Sequence, residues 1–363
     1  MDDIFAVQDD IAQSVVNELR HALMGESSAQ PEKLAAEIAQ ATRTRSDNPE
    51  AVRLCMQARF LAEQRTVAEL QAAIAWYEQA IALDPTYSAA HAGLARTLNL
   101  LASYGTLDAK ETRRLWERAQ AAAEAAIAHD PQNAVAYVIL AQYAVGIERD
   151  MAKADRLIAQ AYTLNPNSVD VLREQALQHR RRRRFDDERA ALEKAVALDP
   201  LAMMARVDLA SVALLQRRDD EVLRMLMEIK QMSPGWWVPE AHLFRLEQIK
   251  GNQQAAIEHI IAMHRLRGNT GAVAFARAAL DAGGWEGYMR VAIANPKDAD
   301  IWRADLAYYQ MVLGDTDSAF ASLHELISTH DERTWVIVSN LRFELLYADP
   351  CYTELLERTG FMK

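Results

Sequence analysis

The stretch running from Leu164-Asn165-Pro166 through Leu198-Asp199-Pro200 to Met232-Ser233-Pro234 decides the fold. Each tripeptide closes an apolar run with a small or polar residue and a proline. Proline disfavours helical geometry at the residue before it and cannot continue a helix, so each is a stop signal. The prolines lie 34 residues apart, and Pro131 lies 35 before Pro166. The same context recurs at Leu83-Asp84-Pro85, His129-Asp130-Pro131, Ala294-Asn295-Pro296 and Ala348-Asp349-Pro350, so seven of the ten prolines belong to it. Pro85 and Pro131 are 46 apart, which gives that unit about a dozen additional residues.

Ahead of each stop, apolar or small residues fall at i, i+3, i+4 and i+7. Examples are Ala73, Trp76, Tyr77, Ala80; Ala119, Ala122, Ala123, Ala126; Ala154, Leu157, Ile158, Ala161; and Val222, Met225, Leu226, Ile229. That spacing is one face of an α-helix. The earlier half of a unit carries a second such face, as in Tyr137, Leu140, Ala141 and Ala144. Each unit is therefore a helical hairpin, with small residues that let its helices approach closely. Gly251-Asn252 and Gly314-Asp315 mark the turns of later hairpins, and Gly283-Gly284-Trp285 the turn of a short, irregular unit at 269–296. A 34-residue hairpin repeat resembles the tetratricopeptide (TPR) repeat. The expected fold is all-α, an α-solenoid of about eight TPR hairpins. The resemblance implies a right-handed superhelix whose concave face is lined mostly by the first helix of each pair. A single hairpin cannot bury both faces, so stacking makes one quasi-one-dimensional core. The expected organisation is an N-terminal amphipathic helix in 1–24 with Ile4, Ile11, Val15 and Leu19 along one side, a linker at 25–48, the solenoid at 49–332, and a C-terminal cap with a capping helix at 333–363.

Two further segments resemble a wider family. Asp3-Ile4-Phe5-Ala6-Val7-Gln8-Asp9-Asp10-Ile11-Ala12 looks like the helix that closes a TolB-like domain in multidomain bacterial regulators. Asn340-Leu341-Arg342-Phe343 through Asp349-Pro350 to Gly360-Phe361 is similar to the usual terminus of those proteins. The resemblance implies an effector ahead of the repeats: an adenylate cyclase, a winged-helix DNA-binding domain or a kinase. The chain opens about where the repeat module would, either as a piece of such a regulator or as a stand-alone relative. The expected location is cytoplasmic, with the periplasm as the alternative that a membrane-anchored member of that family implies.

Charge and chemistry narrow the function. With 40 basic and 51 acidic residues the net charge is −11, which argues against nucleic acid and anionic membrane as main partners of this region. Cys55 and Cys351 form neither a disulfide framework nor a metal motif. His324-Glu325 with His330, and His259 with His264, miss the one-turn spacing of a zinc-protease helix. Gly283, Gly284 and Gly287 lack the spacing of a phosphate loop. The chain is expected to be no enzyme and to need no cofactor or metal. Repeat alignment places Arg59, Arg96, Asn99, Val138, Gln142, Arg173, Val207, His242 and Arg245 on the groove side of the first helices, with Arg180 and Arg181 at its edge. Recurrent arginine there suits an acidic or extended peptide. The run Arg180–Arg184 has a second reading, a solvated turn paired with Asp186, Asp187 and Glu188. Trp236-Trp237 is either an exposed anchor or packing between repeats. The expected function is a protein-interaction and signal-relay module of a bacterial regulator, with self-association among its modes. The alternative is a small-molecule or peptide receptor, or an enzyme, with its site in the superhelix cavity.

Overall fold

The computed structural model describes residues 46–103, 109–301, 303–328 and 341–359; the expected N-terminal amphipathic helix and most of the expected linker lie outside them. Every element among the described residues is helical. The helices pair as α1 (Pro49–Gln64) with α2 (Val67–Leu83), α3 (Ser88–Ser103) with α4 (Ala109–His129), α5 (Ala134–Tyr143) with α6 (Met151–Leu164), and α7 (Val169–Arg181) with α8 (Phe185–Leu198). There follow α9 (Met203–Leu215) with α10 (Asp219–Met232), α11 (Val238–Lys250) with α12 (Gln253–Leu266), the broken helix α13 (Thr270–Ala294), and α14 (Arg303–Val312) with α15 (Thr316–Ser328). A 3₁₀ turn at Leu341–Leu346 and α16 (Pro350–Thr359) end the chain's described part. The whole is an α-solenoid. The residues added between Pro85 and Pro131 lengthen this hairpin, α4 running to 21 residues.

The stop signals act through side chains as well as through proline. Asp84, Asp130, Asn165, Asp199 and Asp349 each accept a hydrogen bond at Oδ1 from the backbone N–H two residues on, at 2.8–3.3 Å. This Asx turn folds the chain around the proline and leads it into the next helix. Three of the first helices carry a side-chain cap at their start. Asn48 Oδ1 accepts from the N–H groups of Glu50 and Ala51, Asn133 from Ala136, and Ser168 Oγ from Val171. A cap of this type stabilises its helix by about 1 kcal/mol.

The core keeps the same register. Ile158, Leu192, Leu226 and Ile260 follow at intervals of 34 and are all nearly inaccessible. Ala161 and Ala195, and on the first helices Ala141, Ala176 and Ala210, have no exposed surface. Side chains this small let neighbouring helices approach closely. Gly93 is an extreme case: a Cβ placed on it would lie 2.4 Å from the ring of the buried Tyr77. At the opposite end of the scale Met56 and Phe60, on α1, leave about two thirds of their surface open.

The irregular seventh unit is one helix broken by non-helical geometry at Gly283 (φ −162°, ψ 15°) and Gly284 (φ 60°, ψ −151°). Trp285 is not part of that turn, as the sequence suggested. It is buried, stacks on Tyr288 at 5.4 Å between centroids, and meets Tyr309 and Phe244 edge-on.

Gly93→Ala is expected to lower the urea midpoint by an amount equivalent to about 1–3 kcal/mol, the cost of overpacking. Gly235→Ala, whose Cβ would meet nothing within 4 Å, is expected to leave it unchanged.

Candidate functional site

The first helices α1, α3, α5, α7, α9 and α11 present their inner faces to a concave cavity. Its wider part, about 1230 Å³, lies between the end of α1 and the loops that lead into α7, α9, α11 and α13. A second part of about 410 Å³ runs along α3 to α11 and shares Arg65, Arg96, Asp170, Arg173, Met204, Trp236 and Trp237 with the first. All eleven groove residues expected from the repeat alignment and the arginine run line this space: Arg59, Arg96 and Arg173 the wider part, and Arg96, Asn99, Val138, Gln142, Arg173, Arg180, Arg181, Val207, His242 and Arg245 the narrower.

The structure also shows what repeat alignment could not: these side chains are wired to each other. Asn99 donates to Gln142 Oε1 at 2.7 Å, and Gln142 donates to Glu174 Oε2 at 2.8 Å. Glu174 takes a second bond from Arg181 at 2.9 Å. Arg173 donates to Asp208 at 2.8 Å, and Arg180 to the Asp208 carbonyl at 3.1 Å. Ser211 Oγ lies 3.2 Å from His242 Nδ1. A polar ladder thus steps from α3 to α5, α7, α9 and α11 on an otherwise apolar wall. Arg96 reaches Glu63 on α1 at 3.1 Å and Asp170 on α7 at 3.8 Å, so it ties three hairpins together.

These contacts change the expected character of the groove. Its arginines are largely answered by carboxylates, and the basic surface expected from their recurrence is muted. Arg180 and Arg181 are buried, Arg180 on Glu188 at 2.6 Å and Arg181 on Glu174. Arg184 is the member of the run that pairs with Asp187 in the solvated manner, at 3.4 Å. Arg182 pairs with Asp155 instead, across to the preceding hairpin. Arg59 stands exposed on the cavity wall and makes no ion pair among the described residues. Leu201, 72% exposed, lines the same part together with Met204, Trp236 and Trp237. Both tryptophans are half-buried on the cavity wall: Trp236 packs against the core of α9–α11, and Trp237 lies under the Arg267 guanidinium at 5.3 Å.

Electrostatics follow burial. Desolvation, with Arg245 and Arg180 nearby, holds His242 well below the usual histidine range. Burial and the charge of Arg342 pull Arg245 down to about 10, against Asp305, which works the other way. Glu188 is raised because its burial outweighs Arg180. No group of three or more His, Cys, Asp or Glu is arranged to hold a metal ion among the described residues, and no described helix is long and apolar enough to cross a membrane. His259 is bound to Glu240 at 2.6 Å, and His264 lies buried beside Asp300 at 3.5 Å.

No protein-family model matches the chain, and no curated protein matches it. Solved structures do. Human IFIT1, as a dimer with m7Gppp-AAAA, is 16% identical over 90% of this chain and 75% of its own, with a TM-score of 0.54. Yeast Tom70 is 13% identical over 95% of this chain and 81% of its own, at 0.46. A thermophilic TPR protein of Thermus thermophilus is 21% identical over 50% of this chain and 92% of its own, at 0.39. Identities this low speak for the fold alone, a solenoid of TPR type.

His242 gives a pH test. Below about pH 6.5 the unfolded chain protonates this histidine while the folded chain does not, so stability falls as pH drops through that range. Urea midpoints are expected to decline from pH 7.5 to 5. His242→Gln is expected to remove part of that slope, at most about 1.4 kcal/mol per pH unit and less where cavity water screens the ring.

Proposed function

We propose that the chain is a non-catalytic interaction module that holds a segment of a protein partner in its concave cavity. The observation that carries this reading is the size and continuity of the cavity. Its wider part alone exceeds the 300–1,000 Å³ or so of an ordinary small-ligand pocket. Its walls come from six successive first helices, so an extended segment lying along it meets a new set of side chains at each repeat.

The lining indicates the segment's chemistry. Leu201, Met204, Trp236 and Trp237 offer an apolar shelf of the kind that buries a bulky anchor residue. Arg59, across the same space, offers a guanidinium to a carboxylate. An apolar residue close to an Asp or Glu fits both. The answered arginines and the net charge of −11 speak against a phosphate backbone as the occupant, although the human IFIT1 structure carries m7Gppp-AAAA.

In this reading the module passes its bound state to an effector. The resemblance of both chain ends to bacterial multidomain regulators supports a regulatory setting in signalling or transcription, in the cytoplasm or, behind a membrane anchor, the periplasm. A second reading has its own observation. The narrower part of the cavity, about 410 Å³ with Leu100, Val138, Leu177 and Val207 on its walls, has the dimensions of a small-molecule site.

Selection of a phage-displayed random peptide library on the protein tests the first reading. Enriched peptides are expected to carry a bulky apolar residue near an acidic one, and to lose affinity about tenfold or more on Leu201→Glu and Arg59→Glu. Equal binding by both variants would place the site off the cavity. No enrichment, together with thermal stabilisation by a metabolite library, would favour the small-molecule reading.

A further inference from the structure

The first-to-second-helix turns of successive hairpins share one geometry. The residue that ends the turn is left-handed at Arg149 (φ 59°), Arg183 (φ 56°), Arg217 (φ 59°) and Gly251 (φ 73°), each 34 after the last. Glycine adopts this conformation without strain and arginine does not. Strained positions persist where the surroundings over-determine them. For Arg183 and Arg217 those surroundings include the C-terminal segment.

That segment crosses the solenoid in order. Arg342 donates to Asp305 on α14 at 2.7 Å and to Gln248 on α11 at 3.1 Å, and its guanidinium lies 4.9 Å from the Tyr308 ring centre. Glu344 pairs with Arg217 at the turn between α9 and α10. Tyr347 lies under Arg183 at the turn between α7 and α8, at 4.8 Å. As the chain advances from 342 to 347, its contacts step back from the eighth and sixth hairpins to the fifth and the fourth. Phe343 and Leu346 fix the segment in the core, whereas the Arg217–Glu344 pair is about half exposed.

A repeat in a solenoid touches only its neighbours, so the curvature of the stack is its softest degree of freedom. A segment that bonds to four hairpins removes that freedom. We infer that residues 342–347 are a strap that sets the curvature of the second half of the solenoid and with it the width of the concave cavity. The strap acts on the cavity wall at close range. Arg180 and Arg181 stand just ahead of Arg183, Leu214 and Leu215 just ahead of Arg217, and Arg245 just ahead of Gln248, and all five line the cavity. The strap has a buried root at Arg342, Phe343 and Leu346, and a tip at the exposed Glu344 and the half-buried Tyr347. A ligand that competes for Arg183 and Arg217 therefore frees the tip while the root holds.

Arg183→Gly with Arg217→Gly separates this role from a local one. Glycine relieves the turn and keeps the hairpins, so the fold survives, but the strap loses both tip contacts. Double electron–electron resonance in the full chain, with Cys55→Ser, Cys351→Ser, Ala197→Cys and Asp317→Cys carrying the labels, reads the span between the fourth and eighth hairpins. The expected result is one narrow distance distribution in the parent and a distribution roughly doubled in width in the double glycine variant. Glu344→Arg is expected to broaden it too, and Arg217→Glu added to Glu344→Arg to narrow it again. An unchanged distribution in the double glycine variant, with helicity and melting intact, overturns the strap. So does broadening by Glu344→Arg that the charge swap does not reverse.

Discussion

The close approach of helices through alanine is the constraint on which everything else in this molecule rests. Ala141, Ala176 and Ala210 on the first helices, and Ala161 and Ala195 on the second, have no exposed surface, and side chains this small let helix axes approach closely. Because the seam is this tight, every hairpin inherits the position of the one before it. The inner faces of α1 to α11 then converge on a single cavity. The larger residues in register with the seam, Ile158, Leu192, Leu226 and Ile260, are buried beside it, each contributing about 1.5–3 kcal/mol. The alanines determine where that burial occurs.

The fold was legible because its signals are local. Asp199 and Pro200 state a turn by themselves: the carboxylate takes the N–H of Leu201 and the ring ends α8. The groove residues were legible for a related reason, since a hairpin of fixed period puts equivalent positions on equivalent faces. Long-range partners had no such signal. Nothing near Arg173 in the chain announces Asp208, and nothing near Arg180 distinguishes a buried pair with Glu188 from the solvated pair that Arg184 makes with Asp187. A run of five arginines looks uniform in sequence. The helix carries two of them inward and leaves the rest to the turn. Trp285 went unrecognised as a core residue for the same reason: its burial depends on a break at Gly283 and Gly284 that only the surrounding aromatic rings explain.

The polar ladder carries a cost as well as a benefit. Glu174 and Asp208 are buried acceptors, and each takes a bond from the hairpin before its own, Glu174 from Gln142 and Asp208 from Arg173. Loss of one partner leaves a buried charge without its answer, which typically costs about 3–5 kcal/mol. The ladder therefore makes the inner wall intolerant of slippage between repeats in a way that an all-apolar wall would not be. It also holds the donors and acceptors of the cavity in fixed positions before anything enters it, which lowers the ordering penalty of binding.

The contacts of Arg342 also bear on when the molecule becomes complete. Hairpins of this kind join neighbours that are near in sequence, so they can fold one after another as the chain emerges from the ribosome. Gln248 and Asp305 must wait for a residue 94 and 37 positions later. For that interval during synthesis the solenoid exists with its hairpins formed and its last tie unmade. A partner present at the site of translation meets a looser protein than one that arrives afterwards.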